Sequence, residues 1–279
     1  MNNEELVLSN ESGFQGDWKS IYHRDALIWA SHEYDTDSIM KPLAELVICF
    51  SSKFNLSPTI EFTTIDTLEL LLVRAFQNWM QSATPFPESV EQQKAAFLRQ
   101  LPIYTVAVFD IVAKYTNLGS KLELAAVKRA AKVNGSTANM LTVEFEVIKI
   151  LDSELRSSLL LGAFERFSKQ YLLPLNVESK ENIGSIGIKL LRVALAERAL
   201  VYDSLKTAMK DKECFRRFKS NKLILAGAVI ITLLYLIPAT RHSNVILNQV
   251  VVPLAEDCCV QAKNLIYLRD AILRVVGGH

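Results

Sequence analysis

The sequence is short of the residues that build tight turns and sheets. Glycine occurs 10 times and proline 8 times in 279 residues. The Asn-Gly pair at 134–135 is not flanked by alternating apolar and polar residues, so no two-residue hairpin is signalled. It sits between helical patterns and reads as one helix end and the next helix start. Net charge is nearly absent, at +1 from 31 basic and 30 acidic residues. A protein that holds nucleic acid mainly through phosphates needs a strong basic excess, so only a local basic patch is left open. Cysteine is scarce: Cys49, Cys214, Cys258 and Cys259 form no C-x-x-C pair. The four histidines (His23, His32, His242, His279) are not spaced to complete a metal site. Reduced thiols in an intracellular protein are expected, with no metal and no disulfide framework.

Long apolar runs are lacking too. The longest, "LILAGAVIITLLYLI" at 223–237, falls short of the roughly 18 residues a membrane span needs. It is expected to be a buried core helix ended by Pro238, with no membrane association. The start, "MNNEELVLSNESG", is acidic and polar, unlike a secretory or transit segment. No nucleophile elbow and no phosphate loop is present. "GSIGIK" at 184–189 matches neither a Walker loop nor G-x-G-x-x-G. The expectation is a non-catalytic protein without a cofactor.

What the chain does have is apolar residues, 50% of the total, recurring at helical spacing. Ser57-Pro58 is a helix start, with proline where its missing N–H costs nothing. Beyond it Ile65, Leu68, Leu72, Ala75, Phe76 and Trp79 recur at steps of three and four. Further helices are predicted over 38–54, 94–118 (with Pro102 inside), 123–133 and 137–155. A second set is predicted over 159–172, 186–209, 223–236, 245–252 and 254–276, with Pro253 opening the last. Two runs of five helices predict an all-α protein with an extension at 1–36, a first unit at 37–155 and a second at 156–279.

Two charges break the apolar stripes. Lys114 falls on one face with Ala107, Ile111 and Leu118, and Glu144 with Met140, Val147 and Leu151. An ordinary reading pairs Lys114 with Asp110 one turn earlier and leaves Glu144 to Lys149 or to water. The other reading has the two charges meet, or face a partner together. A basic run, "KDKECFRRFKSNK" at 210–222, is expected to be a link between helices. Its Phe215 and Phe218 would tack it to the core. Its Arg216, Arg217 and Lys219 are candidates for contact with an acidic partner or DNA.

The tandem count and these motifs resemble a cyclin. "VAKY" at 112–115 is similar to that family's A-K-Y signature. In "VEFEVIKILDSEL" at 143–155, Glu144 stands seven residues before Leu151, as the family's glutamate does before its leucine. "KFNLSPTIEFTTIDTLELLLVRAF" at 53–76 resembles the family's second helix, chiefly at Phe54 and Leu56. The resemblance implies two tandem five-helix cyclin boxes and a regulatory subunit without catalysis. It also implies a cyclin-dependent kinase held by Lys114 and Glu144, with Tyr115 and Ile148 as the apolar contacts around them. Thr116 and Asn117 depart from the acidic residues usual after the signature. "DSIMKPLAELVICF" at 37–50 lacks the arginine and tryptophan of the family's substrate-docking helix.

Within the family, "ALVYDSLKTAM" (199–209), "NKLILAGAVIITLLYLI" (221–237) and "AEDCCVQAKNLIYLRDAILRVVG" (255–277) look most like the divergent meiotic cyclin-like crossover factors. That likeness implies crossover formation at designated recombination sites, meiotic recombination proteins as partners, and a nuclear, chromosome-associated location. A kinase-independent cyclin-fold scaffold, and a cyclin-box factor touching nucleic acid, are the alternatives.

Overall fold

A computed structural model describes residues 18–30, 36–82, 87–116, 124–133, 137–175, 180–209, 211–237 and 244–277. Among them are thirteen α-helices and no strand, so the protein is all-α. The chain divides into two compact units. One holds residues 34–158; the other combines residues 159–279 with the N-terminal segment through residue 33.

The unit of 34–158 contains five helices: α2 (Asp37–Lys53), α3 (Pro58–Ser82), α4 (Pro87–Tyr115), α5 (Leu124–Ala130) and α6 (Thr137–Ile150). α4 runs through the middle and packs on α2, α3, α5 and α6. Its residues 104–113 are all buried, because they are apolar on every side except at Thr105 and Asp110. The stretch 94–115 has the length and hydropathy of a membrane span, yet 61% of its most apolar window is buried inside the fold; that is how a core helix looks. α3 begins at Pro58 as its sequence predicts. Its Thr64 and Thr67 hydroxyls donate to the carbonyls of Ile60 and Thr63, at 2.7 Å each, so these polar side chains are buried with a partner. After α6 the chain reverses through Asp152 and Ser153, both in the left-handed region. Arg74 of α3 donates to the Leu151 carbonyl and to the Glu154 carboxylate. The Ser158 hydroxyl donates to Asp66 at 2.8 Å. These bonds tie the end of α6 to α3 and so fix where α6 lies.

The other unit contains α1 (Lys19–Ala30), α7 (Leu159–Phe167), α8 (Lys180–Ala196), α9 (Arg198–Ala208), α10 (Lys212–Ser220), α11 (Lys222–Leu236), α12 (Asn244–Asp257) and α13 (Ala262–Gly277). α7 continues into a π turn at Ser168–Leu172. α11 is buried from Leu223 to Leu234, the core helix its composition predicts. It is surrounded by α7, α8, α12 and α13. α1 is part of this unit: it packs on α10 and α11 and buries Tyr22, Asp25, Ala26, Trp29 and Ala30. Trp18 meets Phe167 edge-on at 6.1 Å and is covered by the Arg166 guanidinium at 3.9 Å.

Several helix limits differ from the sequence expectation, for local reasons. Seven helices, not five, occupy the described residues of 159–277. The segment 186–209 breaks at Glu197. The basic run is not a link but a helix, α10. Asp211 caps its first turn, accepting from the Glu213 amide at 2.9 Å, and Phe218 is buried against Tyr202. Asn221 accepts from Leu223 N at 3.0 Å and starts α11, bent 66° from α10. Pro253 does not open a helix; α12 runs through it. The carbonyl that loses its bond belongs to Gln249, and both residues are exposed, so water can serve it. The true break is at Cys259, which has a positive φ of 54°. The four cysteines are free thiols. Cys258 is buried and donates to the Leu223 carbonyl at 3.2 Å.

A paired charge at the edge of an apolar surface

α4 and α6 bring Lys114 and Glu144 together. Lys114 Nζ lies 2.9 Å from Glu144 Oε2 and 2.7 Å from Asp110 Oδ2. The Lys114–Asp110 pair of one reading and the Lys114–Glu144 pair of the other are both present: the ammonium serves the carboxylate one turn back on its own helix and another on the facing helix. The Lys114 side chain is 52% exposed, Glu144 10% and Asp110 7%. The carboxylates sit under the ammonium, which reaches to water on its alkyl stem.

The electrostatics follow from two carboxylates sharing one cation. Burial lowers the pKa of Lys114, but hydrogen bonds to Asp110 and Glu144 more than reverse this, so the ammonium is held above its ordinary value. Burial raises Glu144. Lys114 opposes the rise, Asp110 adds to it, and the net direction is up. One ammonium serves two buried carboxylates, and Glu144 Oε1 is left as an unused acceptor.

Around the pair the surface is apolar. Tyr115 is 52% exposed, and Ile148 is half-buried one turn beyond Glu144. Leu141 and Phe145 were not singled out from the sequence. They are exposed on the same flank of α6, Phe145 at 72%. Their signal was present in the spacing, since 141, 145 and 148 flank the buried stripe of Met140, Val143, Val147 and Leu151. Asn117 and Leu118 lie outside the described residues.

The basic candidates lie apart in sequence, on α10. Arg217 pairs with Glu213 on its own helix. Arg216 Nε donates to the Lys212 carbonyl at 3.4 Å. Lys219 is half-buried, and Lys222 is committed to Asp25. Lys210 lies outside the described residues. No group of His, Cys, Asp or Glu among the described residues could hold a metal ion.

Compared with known proteins, the chain matches no family model and no curated sequence.

Proposed function

We propose that the protein is a cyclin-like regulatory subunit that binds a cyclin-dependent kinase through Lys114, Tyr115, Glu144 and Ile148 and promotes meiotic crossover formation. One observation carries the reading: an ammonium and a carboxylate from different helices meet at 2.9 Å beside exposed Tyr115, Leu141 and Phe145. Exposed aromatic and aliphatic side chains around a half-shielded charge pair are how interface centres are built, with apolar anchors excluding water from a polar specificity point. The five helices α2–α6 hold this surface in place. Its effect on a kinase would be differential binding: contact with the active arrangement shifts the kinase population toward it.

The test is copurification from meiotic tissue followed by a kinase assay. Phe145→Glu and Tyr115→Glu alter exposed residues and leave the core intact. Loss of the kinase and of its activity in both supports the reading. Full retention of the kinase by both removes it.

A second reading is favoured by α10, which presents Lys212, Arg216, Arg217 and Lys219 against a single carboxylate, Glu213. It makes the protein a factor that contacts nucleic acid through this helix. A salt-sensitive mobility shift of duplex DNA, abolished in Arg216→Ala/Arg217→Ala/Lys219→Ala, is its expected signature.

A further inference from the structure

A recess of about 340 Å³ opens between the last turns of α3, the middle of α4 and the end of α6. Three aromatic rings form its floor. Trp79 meets Phe97 edge-on at 5.1 Å, and Phe97 lies at 4.7 Å from Tyr104, tilted by 30°. Phe76 supports Trp79 from behind at 5.2 Å. Phe97 and Tyr104 are buried and Trp79 is half-exposed, so the floor is fixed by packing while part of it faces the opening. Glu146 stands at the rim, exposed. The Tyr104 hydroxyl is hydrogen-bonded to it, and burial together with this carboxylate pushes the phenol's pKa above its ordinary value. Tyr104 thus stays a neutral donor that anchors the carboxylate at the rim. The amides of Asn78 and Gln100, both exposed, add acceptors at the mouth.

We propose that this recess is a docking site for a basic side chain, best a guanidinium, carried by a partner polypeptide. Aromatic faces attract cations, tryptophan most strongly. A carboxylate and amide carbonyls match the several N–H donors of a guanidinium, which also stacks on rings. An anion is repelled by Glu146. A purely apolar occupant strips water from that carboxylate with nothing in return. The opening is wide, bounded by exposed Asn78, Ala96 and Gln100. A free cation gains little there, whereas a side chain held on a backbone adds contacts along the rim. The site is separate from the Lys114–Glu144 pair. Glu146 is two residues from Glu144 and so about 200° around α6, and Tyr104 is about 15 Å along α4 from Lys114. The proposal does not rest on the kinase reading.

The test uses the full chain labelled with 5-fluorotryptophan, with the Trp79 fluorine resonance assigned by Trp79→Phe. The probe is the peptide acetyl-Gly-Ser-Arg-Ser-Gly-amide, compared with the same peptide carrying citrulline, the neutral isostere, and with guanidinium chloride. The arginine peptide is expected to shift the Trp79 resonance saturably. The citrulline peptide and guanidinium chloride are expected to bind at least about fivefold more weakly. Glu146→Gln, an exposed change that leaves the floor intact, weakens the arginine peptide by a similar factor. Gln100→Lys, which sets a cation in the mouth, abolishes the shift. A Trp79 resonance that does not respond to the arginine peptide overturns the proposal. So does an equal response to the citrulline peptide, or full affinity in either variant.

Discussion

Lys222 Nζ, at the start of α11, lies 3.3 Å from Asp25 Oδ2 of α1, and the two side chains are only 10% and 1% exposed. Lys222 also lies 5.4 Å from the centre of the Trp29 ring. This ion pair fastens the N-terminal helix to the core of its unit. Its removal is informative because the two kinds of removal differ in sign. Asp25→Ala removes one member of a buried ion pair and is expected to cost about 3–5 kcal/mol. Replacing both members with apolar residues of similar size, as in Asp25→Leu/Lys222→Met, is expected to recover most of that loss. Urea unfolding of the single and double variants measures both.

Two glycines of α8 separate helix propensity from packing. A Cβ at Gly187 would run into the Phe164 ring, with Cε2 at 2.8 Å and Leu233 Cδ1 at 3.1 Å. A Cβ at Gly184 meets nothing within 4 Å, on an exposed turn of the same helix. Gly184→Ala is expected to stabilise by about 0.4–1 kcal/mol, by restricting the unfolded chain and favouring the helix. Gly187→Ala is expected to destabilise by about 1–3 kcal/mol through overpacking. Melting temperatures that move in opposite directions are the readout.

The helical class was legible because low glycine and proline content and 3.6-residue spacing agree over most of the chain. The helices that escaped notice are those whose pattern is interrupted by charge. α1 buries Asp25 among its apolar residues, so its stripe looks broken. α10 is two-thirds polar and buries only Phe218, so it looks like a link. Pro253 misled because the cost of a helical proline depends on whether the orphaned carbonyl reaches water, which is a property of the fold. At the candidate site the unusual positions of Lys114 and Glu144 were visible as charges on apolar faces. Their sharing with Asp110 was not, since spacing alone presented the local and cross-helix pairs as rivals. The recess at Trp79 was invisible for a similar reason: its wall residues come from three helices and occupy ordinary core or surface positions on each.

Arg74 is the bond between α3 and the end of α6, and two changes separate its parts. Its link to the Leu151 carbonyl serves a helix-terminal acceptor that also takes the Glu154 amide, at 2.9 Å. Its link to Glu154 involves a carboxylate 38% exposed, which water screens. Arg74→Ala removes a charge-assisted hydrogen bond as well as the ion pair and is expected to cost about 2 kcal/mol, and Glu154→Gln less than about 1 kcal/mol. Because the same bond sets the position of α6, Arg74→Ala is also expected to weaken whatever binds beside Glu144. The stability changes are read from chemical denaturation of each variant.

The raised pKa of Glu144 gives the proposed docking surface a pH dependence of definite sign. Burial is the leading cause, with Asp110 adding and Lys114 opposing. The folded protein therefore holds this proton at pH values where the unfolded chain has released it. By linkage, the contribution of Glu144 to stability grows as pH falls through the window between the raised folded value and the ordinary glutamate value near 4.5, and is flat outside it. Glu144→Gln, which stays neutral, is expected to remove this slope. Lys114→Met takes away the one opposing charge and is expected to move the window to higher pH. Recognition by a partner that needs the ionised pair has the opposite slope: protonating Glu144 dissolves its pairing with Lys114, so affinity falls as stability rises. Measuring urea unfolding and partner affinity on the same samples from about pH 7 to pH 5 tests the relation. Two slopes of the same sign, or a Glu144→Gln variant with the slope of the parent, would show that another group governs this range.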